Sequence, residues 1–156
     1  MTLDDDAIAA ILALNAESVD KLHPIAADEL RGLAETAYRI VVTPDRDAFM
    51  IALDHDSKYD SPNFAWFKER YARFAYVDRI AVSERARGKG HGRRLYTELF
   101  EEAAADGYPL VAAEVNSDPP NPVSDAFHEA MGFEIVGERY LPERGKSVRY
   151  MVRNLP

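Results

Sequence analysis

Residues 87–94 read Arg-Gly-Lys-Gly-His-Gly-Arg-Arg, a cationic glycine-rich run inside an otherwise acidic chain. Gly88, Gly90 and Gly92 alternate with Lys89 and His91, and Arg93 and Arg94 follow at once. Between Arg85 and Arg94 there are 5 Lys or Arg and no acid, against a net charge of −8 for the whole, so the remainder carries −13. A helical pattern begins here and puts two arginines in its first turn, where each opposes the macrodipole by about 0.3–1 kcal/mol. A bound polyanion would offset that. Glycines let such a ligand approach the backbone, and the N–H groups at a helix N-terminus form a prepared anion site. The stretch is not a Walker loop, which needs G-x-x-x-x-G-K-[ST], nor the Rossmann G-x-G-x-x-G.

Other chemistry is restricted by what is missing. The chain has no cysteine, which removes disulfides, thiolate metal sites and a thiol nucleophile. His23, His55, His91 and His128 are scattered without metal-ligand spacing, so no metal is expected.

Residues of this kind need a frame. Ile8, Ile11 and Leu12 predict a helix from about Asp5, and Leu30, Leu33 and Ala37 a second. "YRIVVT" and "AFMIALD" are strands around a turn at Pro44-Asp45. The aromatic-rich connection "HDSKYDSPNFAWFKERYARF" holds one or two helical turns between Asn63 and Tyr71. Its Tyr59, Phe64, Trp66, Phe67, Tyr71 and Phe74 suit a core, a dimer contact or the wall of a pocket. "AYVDRIAV" is a strand ending at Val82, with Asp78 and Arg79 on opposite faces by its period of two. "GRRLYTELFEEAAADG" is a helix with one stripe of Leu95, Tyr96, Leu99, Phe100 and Ala103, closed by Gly107. "PLVAAEVN" is a strand. Asn121 caps a short helix that opens with Pro122 and ends at Gly132. "FEIVGERYL" and "KSVRYMVRNL" form a hairpin. With 156 residues, no repeat and no linker, the chain is expected to be one α+β domain spanning 1–156, a mixed sheet flanked by helices.

At this point a resemblance becomes specific. "RIAVSERARGKGHGRRLYTELFEEA" resembles the acetyl-coenzyme A segment of the GNAT superfamily of N-acetyltransferases, whose [RQ]-x-x-G-x-[GA] is matched by Arg87, Gly90 and Gly92. "VNSDPPNPVSDAFHEAMGFEIVGE" is similar to the family's next segment, an asparagine before a short helix ending in G-F. The resemblance covers residues 76 to about 138. It implies the family's acyl-coenzyme A N-acyltransferase fold, acetyl-coenzyme A as co-substrate and transfer of acetyl to a primary amine. It also implies that backbone N–H groups from Arg87 through Gly88, Lys89, Gly90, His91 and Gly92 to Arg93 hold the pyrophosphate. The backbone at Ile80, Ala81 and Val82 would align the pantetheine arm, with Asn121, Ser124 and Phe127 along the pocket. The family's usual tyrosine acid falls at His128, and an imidazolium can also donate a proton. The family usually opens with a strand; here a helical pattern comes first, so that strand is reduced to "MTL" or missing.

Acetyl transfer needs a neutral amine, an aligned thioester and stabilised oxyanion charge. Without cysteine, direct attack in a ternary complex is favoured. Glu114, near the end of its strand, is the candidate base; otherwise it is an ordinary carboxylate on a solvated face. His128 shares a helix face with Ser124.

A non-catalytic coenzyme A-binding sensor or interaction domain is the alternative. Nucleic-acid binding is disfavoured, because the chain is acidic and the basic run lacks interleaved aromatics. The same charge disfavours anionic membranes, and no apolar run approaches the roughly 18 residues of a span. The acidic start is unlike a signal or transit peptide, so a cytoplasmic protein is expected. The acceptor, a small-molecule or peptide amine, stays unnamed; oligomeric state is open, with homodimers the commonest soluble oligomer.

Overall fold

The computed structural model describes residues 3–18 and 22–156. Helix α1 (Asp5–Glu17) starts where Asp4 accepts a 2.7 Å hydrogen bond from Ala7 N–H, and it buries Ile8, Ile11 and Leu14. Helix α2 (Ala27–Thr36) buries Leu30, Leu33 and Ala34. Ala37, expected on its apolar stripe, has already left the helix for extended backbone with ψ 142°, so Ala34 takes that place. Strands β1 (Arg39–Val42) and β2 (Ala48–Asp54) follow, then helix α3 (Pro62–Lys68) and strand β3 (Ala75–Val82). Helix α4 (His91–Ala105), strand β4 (Leu110–Asp118), helix α5 (Pro122–Ala130) and the hairpin β5 (Glu134–Leu141) and β6 (Lys146–Asn154) complete the order.

The strands form one sheet in the order β1-β2-β3-β4-β6-β5, antiparallel throughout except for β3 with β4. Helices α1, α2 and α3 cover one face, where Phe49, Ile51, Phe64, Phe67, Tyr76 and Tyr150 form the core. Helix α4 covers the other through Leu95, Tyr96, Leu99, Phe100 and Ala103, together with Met50, Val77, Val111 and Phe133. Period-two alternation and the helical stripe therefore meet as the two faces of one sheet. Among the described residues no strand precedes α1; of "MTL", Met1 and Thr2 lie outside them.

The aromatic connection is mainly core. Phe64, Phe67 and Phe74 are at most 1% exposed, and Trp66 stacks on Tyr150 at 4.2 Å. The acidic end of α4, which no dipole argument explains, meets the sheet edge: Arg39 pairs with Glu98 and Glu102, and the Tyr38 hydroxyl donates to Asp106.

Two departures from regular pairing shape the middle of the sheet. Strands β3 and β4 are in register only at Ala75–Val111 and Tyr76–Ala112, then diverge. Opposite β2, Val77 faces Ala52 and Arg79 faces Ile51, which leaves Asp78 as an extra residue in a bulge. Ala75 and Val77 point to the α4 face and so do Ile80 and Val82, an alternation that has slipped by one residue.

Candidate active site

The divergence of β3 and β4 opens a slot through the sheet, and two clefts meet in it. The first is a cleft of about 640 Å³ between the end of β3, the turn 86–92 and α5. Ile80, Ala81, Val82, Arg87, Gly88, Gly90, His91, Gly92, Arg93, Asn121, Ser124 and Phe127 all line it, so nearly every residue expected at the coenzyme is brought together. Lys89 sits in the same turn, exposed.

The turn's geometry explains its composition. Gly88 and Gly90 have φ 82° and 84°, a region costly for residues with a Cβ. Gly92 has ordinary φ but a Cβ there would stand 3.3 Å from the Phe127 ring, so glycine lets α5 close against α4. Among the described residues no backbone or side-chain oxygen accepts from the N–H groups of Gly88, Lys89, Gly90, His91, Gly92 or Arg93; the first helical bond is Arg94 N–H to Gly90 C=O, 3.0 Å. A run of open donors at a helix N-terminus suits a pyrophosphate. The turn is braced from behind. Arg85 pairs with Asp47 at 2.9 Å, and Glu17 accepts from Ser83 Oγ and Glu84 N–H.

The second cleft is a cavity of about 160 Å³ on the other side of the slot. Ser18, Ile80, Asn121, Ser124 and His128 line both clefts, so the two share one wall. Glu114 lies in the cavity wall. Its Oε1 accepts from the Tyr76 hydroxyl at 2.8 Å and from Asn63 Nδ2 at 3.3 Å, while Asn63 Oδ1 accepts from the Tyr150 hydroxyl at 2.9 Å. Its Oε2 is buried without a partner. Burial, aided by the Asp78 charge, pushes the Glu114 carboxyl up to about 8 despite those two hydrogen bonds. Glu114 is thus no carboxylate on a solvated face.

His128 is 6% exposed and fully bonded. Its Nδ1 lies 2.7 Å from the Ser124 carbonyl, which can only accept, so Nδ1 carries the proton. Nε2 is then a lone pair, 3.1 Å from the Tyr96 hydroxyl, which donates to it. Desolvation lowers the imidazole's pKa, although the Ser124 carbonyl and Asp125 favour the cation. The ring rests neutral, with Tyr96 as the hydroxyl beside it. Asn121 caps α5 by accepting from Ser124 N–H at 3.3 Å, and Arg149 ties the helix to β6 through Asp125 at 3.0 Å.

Asp78 and Arg79, expected on opposite faces, are instead joined at 2.8 Å, with side chains 4% and 5% exposed. The bulge turns both toward the α1 side. Arg79 also donates to Asn15 Oδ1 at 3.0 Å and to the His23 carbonyl at 2.9 Å, which fixes the chain entering α2 beside the cavity.

Sequence reasoning missed Tyr96, read only as part of an apolar stripe, and the chain Tyr150–Asn63–Glu114–Tyr76. No spacing links positions 63, 76, 114 and 150; a polar atom on an otherwise apolar strand face was the available signal. Among the described residues no group of three or more His, Asp or Glu stands close enough to hold a metal, and no helix is long and apolar enough to cross a membrane.

This geometry can be set beside known proteins. The model of the acetyltransferase (GNAT) family matches residues 35–133. The chain belongs to the GNAT acetyltransferase family. No curated protein sequence matches it. Among solved structures, the GNAT chain resembles the N-acetyltransferase from Staphylococcus aureus Mu50, with 21% identity, a TM-score of 0.71 and coverage of 100% of this chain and 97% of that one. It is also similar to the ribosomal-protein-S18-alanine N-acetyltransferase from Escherichia coli, at 18% identity and TM-score 0.67, covering 99% and 92%. The structure of yncA from Salmonella typhimurium with its cofactor acetyl-CoA matches at 19% identity and TM-score 0.70, over 100% and 92%. At these identities the likeness concerns the fold, which is the GNAT fold.

Proposed function

We propose that the protein transfers the acetyl group of acetyl-coenzyme A to a primary amine by direct attack in a ternary complex. The observation that carries this reading is that the two clefts share the wall formed by Ile80, Asn121, Ser124 and His128, with Glu114 and its unpartnered, buried Oε2 in the lining of the second. Bound acetyl-coenzyme A supplies an activated thioester. The open N–H groups of Gly88 to Arg93 would hold its pyrophosphate, with Arg87, Lys89 and Arg93 adding charge. The edge of β3 at Ile80, Ala81 and Val82, unpaired toward β4, offers backbone groups to the pantetheine arm. Asn121, Ser124 and Phe127 form the opposite wall.

Glu114 takes the proton of the attacking ammonium, directly or through water. A carboxylate raised to about 8 is a stronger base than an ordinary one and still ionises near neutral pH. The Tyr96–His128 pair returns a proton to the departing thiolate. His128 gives up its Nδ1 proton, breaking the bond to the Ser124 carbonyl, and takes the Tyr96 hydroxyl proton at Nε2; solvent then reprotonates the tyrosinate. His128 borders both clefts, and its neutral ring is fed by the Tyr96 hydroxyl. With 0 cysteines in the chain, an acetyl-cysteine intermediate is impossible. Initial-rate kinetics with both substrates varied should therefore give intersecting lines. Parallel lines, with an acetylated enzyme that delivers its acetyl group to the amine, would contradict direct transfer.

A further inference from the structure

The charges around the acceptor cavity do not balance locally. Asp78 and Arg79 neutralise each other, leaving Glu114 in the wall and Arg144 and Lys146 beside it, with His23 lining the same cavity. Among the described residues neither Arg144 nor Lys146 has an ion pair or a side-chain hydrogen bond, although the chain has 27 acids for 19 Lys and Arg. Arg31, Arg39, Arg46, Arg70, Arg79, Arg85 and Arg149 find carboxylates, and the other unpaired Lys and Arg among the described residues are exposed, except Arg153, which donates to the Met131 carbonyl. Two partly buried cations left unmatched in so acidic a protein mark a place where an anion is missing.

Strand register places them relative to the base. Tyr150 stands opposite Glu114 and Val148 opposite Asn116, so the face that carries Glu114 continues along β6 toward Lys146. Lys146 lies four positions before Tyr150 along the strand, about 13 Å at ~3.3 Å per residue. The two long cationic side chains and a small ligand can bridge that length. Each cation also feels the carboxylate: Arg144 lowers the pKa of Glu114, and Glu114 raises that of Lys146 against its own desolvation.

We propose that the acceptor is zwitterionic: a primary amine bearing an anionic group, with the amine at Glu114 and the anion held by Arg144 and Lys146. The proposal rests on the transferase reading and names the substrate class of its acceptor site. A carboxylate, a phosphate or a phosphonate would satisfy the cations equally in kind. Polyamines are disfavoured, because their second ammonium would meet Arg144 and Lys146.

Matched acceptors test it: an amino acid, its carboxamide, the amine lacking the group, the aminoalkyl phosphonate and a polyamine. Each is measured for acetyl transfer and, with coenzyme A present, for calorimetric binding. Hydrogen bonds to a charged group predict that the anionic acceptor exceeds its carboxamide by roughly tenfold to a hundredfold, chiefly in KM and in binding. The carboxylate and phosphonate arms tell which anion is preferred. The ratio should fall toward one in Arg144→Gln/Lys146→Gln, and partly in Arg144→Gln alone, a change in a half-exposed turn. Carboxamides or polyamines that match or beat the anionic acceptors would overturn the proposal, as would a preference unchanged in the variants. If no amine is acetylated but anionic ones bind preferentially, the site assignment stands and the transferase reading fails. Without preferential binding or transfer, both fall.

Discussion

Replacing Glu114 by glutamine probes the base with little change of shape. Glutamine can keep an acceptor toward Tyr76 and Asn63, which bond Oε1 at 2.8 and 3.3 Å. What it loses is the ionisable Oε2, which is buried without a partner. A positioned general base contributes roughly 10²–10⁴-fold, or about 3–5 kcal/mol at ~1.4 kcal/mol per decade, and turnover should fall by that amount. The pH dependence is more diagnostic. With the carboxyl pushed up to about 8, only about a tenth is ionised at pH 7 and about nine-tenths at pH 9. Wild-type kcat/KM should thus climb close to tenfold per pH unit below 8 and level off above. Titration of the amine itself adds a rising limb, but that limb survives in Glu114→Gln, so the difference between the two profiles belongs to Glu114. Tyr76→Phe removes a hydrogen bond that favours the carboxylate and should move the limb to higher pH. The assay is thiol release under saturating acetyl-coenzyme A. Wild-type turnover in Glu114→Gln, or an identical profile, would refute the assignment.

Three further outcomes follow from particular contacts. Gly90→Ala places a Cβ on a backbone with φ 84°, costing about 1–2 kcal/mol of stability, and puts it in the open space that a pyrophosphate at the turn would enter. Its coenzyme A affinity by calorimetry should drop roughly tenfold, the worth of one charge-assisted hydrogen bond, and an unchanged Kd in the folded variant would contradict the cradle. His128→Ala and Tyr96→Phe should each lower turnover by roughly 10²-fold or more with little loss of acetyl-coenzyme A binding, and their effects should not add, because one proton passes through both. Near-wild-type turnover in either would show that the proton comes from solvent. Glu114 should also destabilise the fold at high pH. Its folded pKa is raised from 4.5 to about 8, so its contribution is fully present below 4.5 and lost as pH rises through 8, at most about 5 kcal/mol. The Tm of wild type should therefore fall relative to Glu114→Gln between pH 5 and 9, and parallel Tm curves would contradict the raised pKa.

The cleft at the turn 87–93 was legible because its signal is local. Gly88, Gly90 and Gly92 act through backbone conformation and close approach within a few residues, and the capped helix α5 is written in Asn121 and Pro122. The periodicities gave each strand and helix for the same reason. The cavity around Glu114 depends on contacts between distant positions. The bulge at Asp78 brings Arg79 to the same face as Asp78, where alternation would separate them, and no local residue announces an extra residue in a strand. Tyr96 fits an apolar stripe by its ring, and only the arrival of His128 beside its hydroxyl reveals the polar tip. Likewise, the apolar strand around Glu114 hints that it is buried, but its partners Tyr76 and Asn63 are distant in the chain.

The most direct test of acetyl transfer is amine-dependent thiol release from acetyl-coenzyme A by the intact protein, with the product identified by mass. Over a panel that includes anionic, neutral and polycationic amines, at least one acceptor should release one thiol per N-acetyl group formed, well above the buffer rate. Coenzyme A binding at the turn 87–93 without thiol release by any amine would contradict transfer and leave a binding domain.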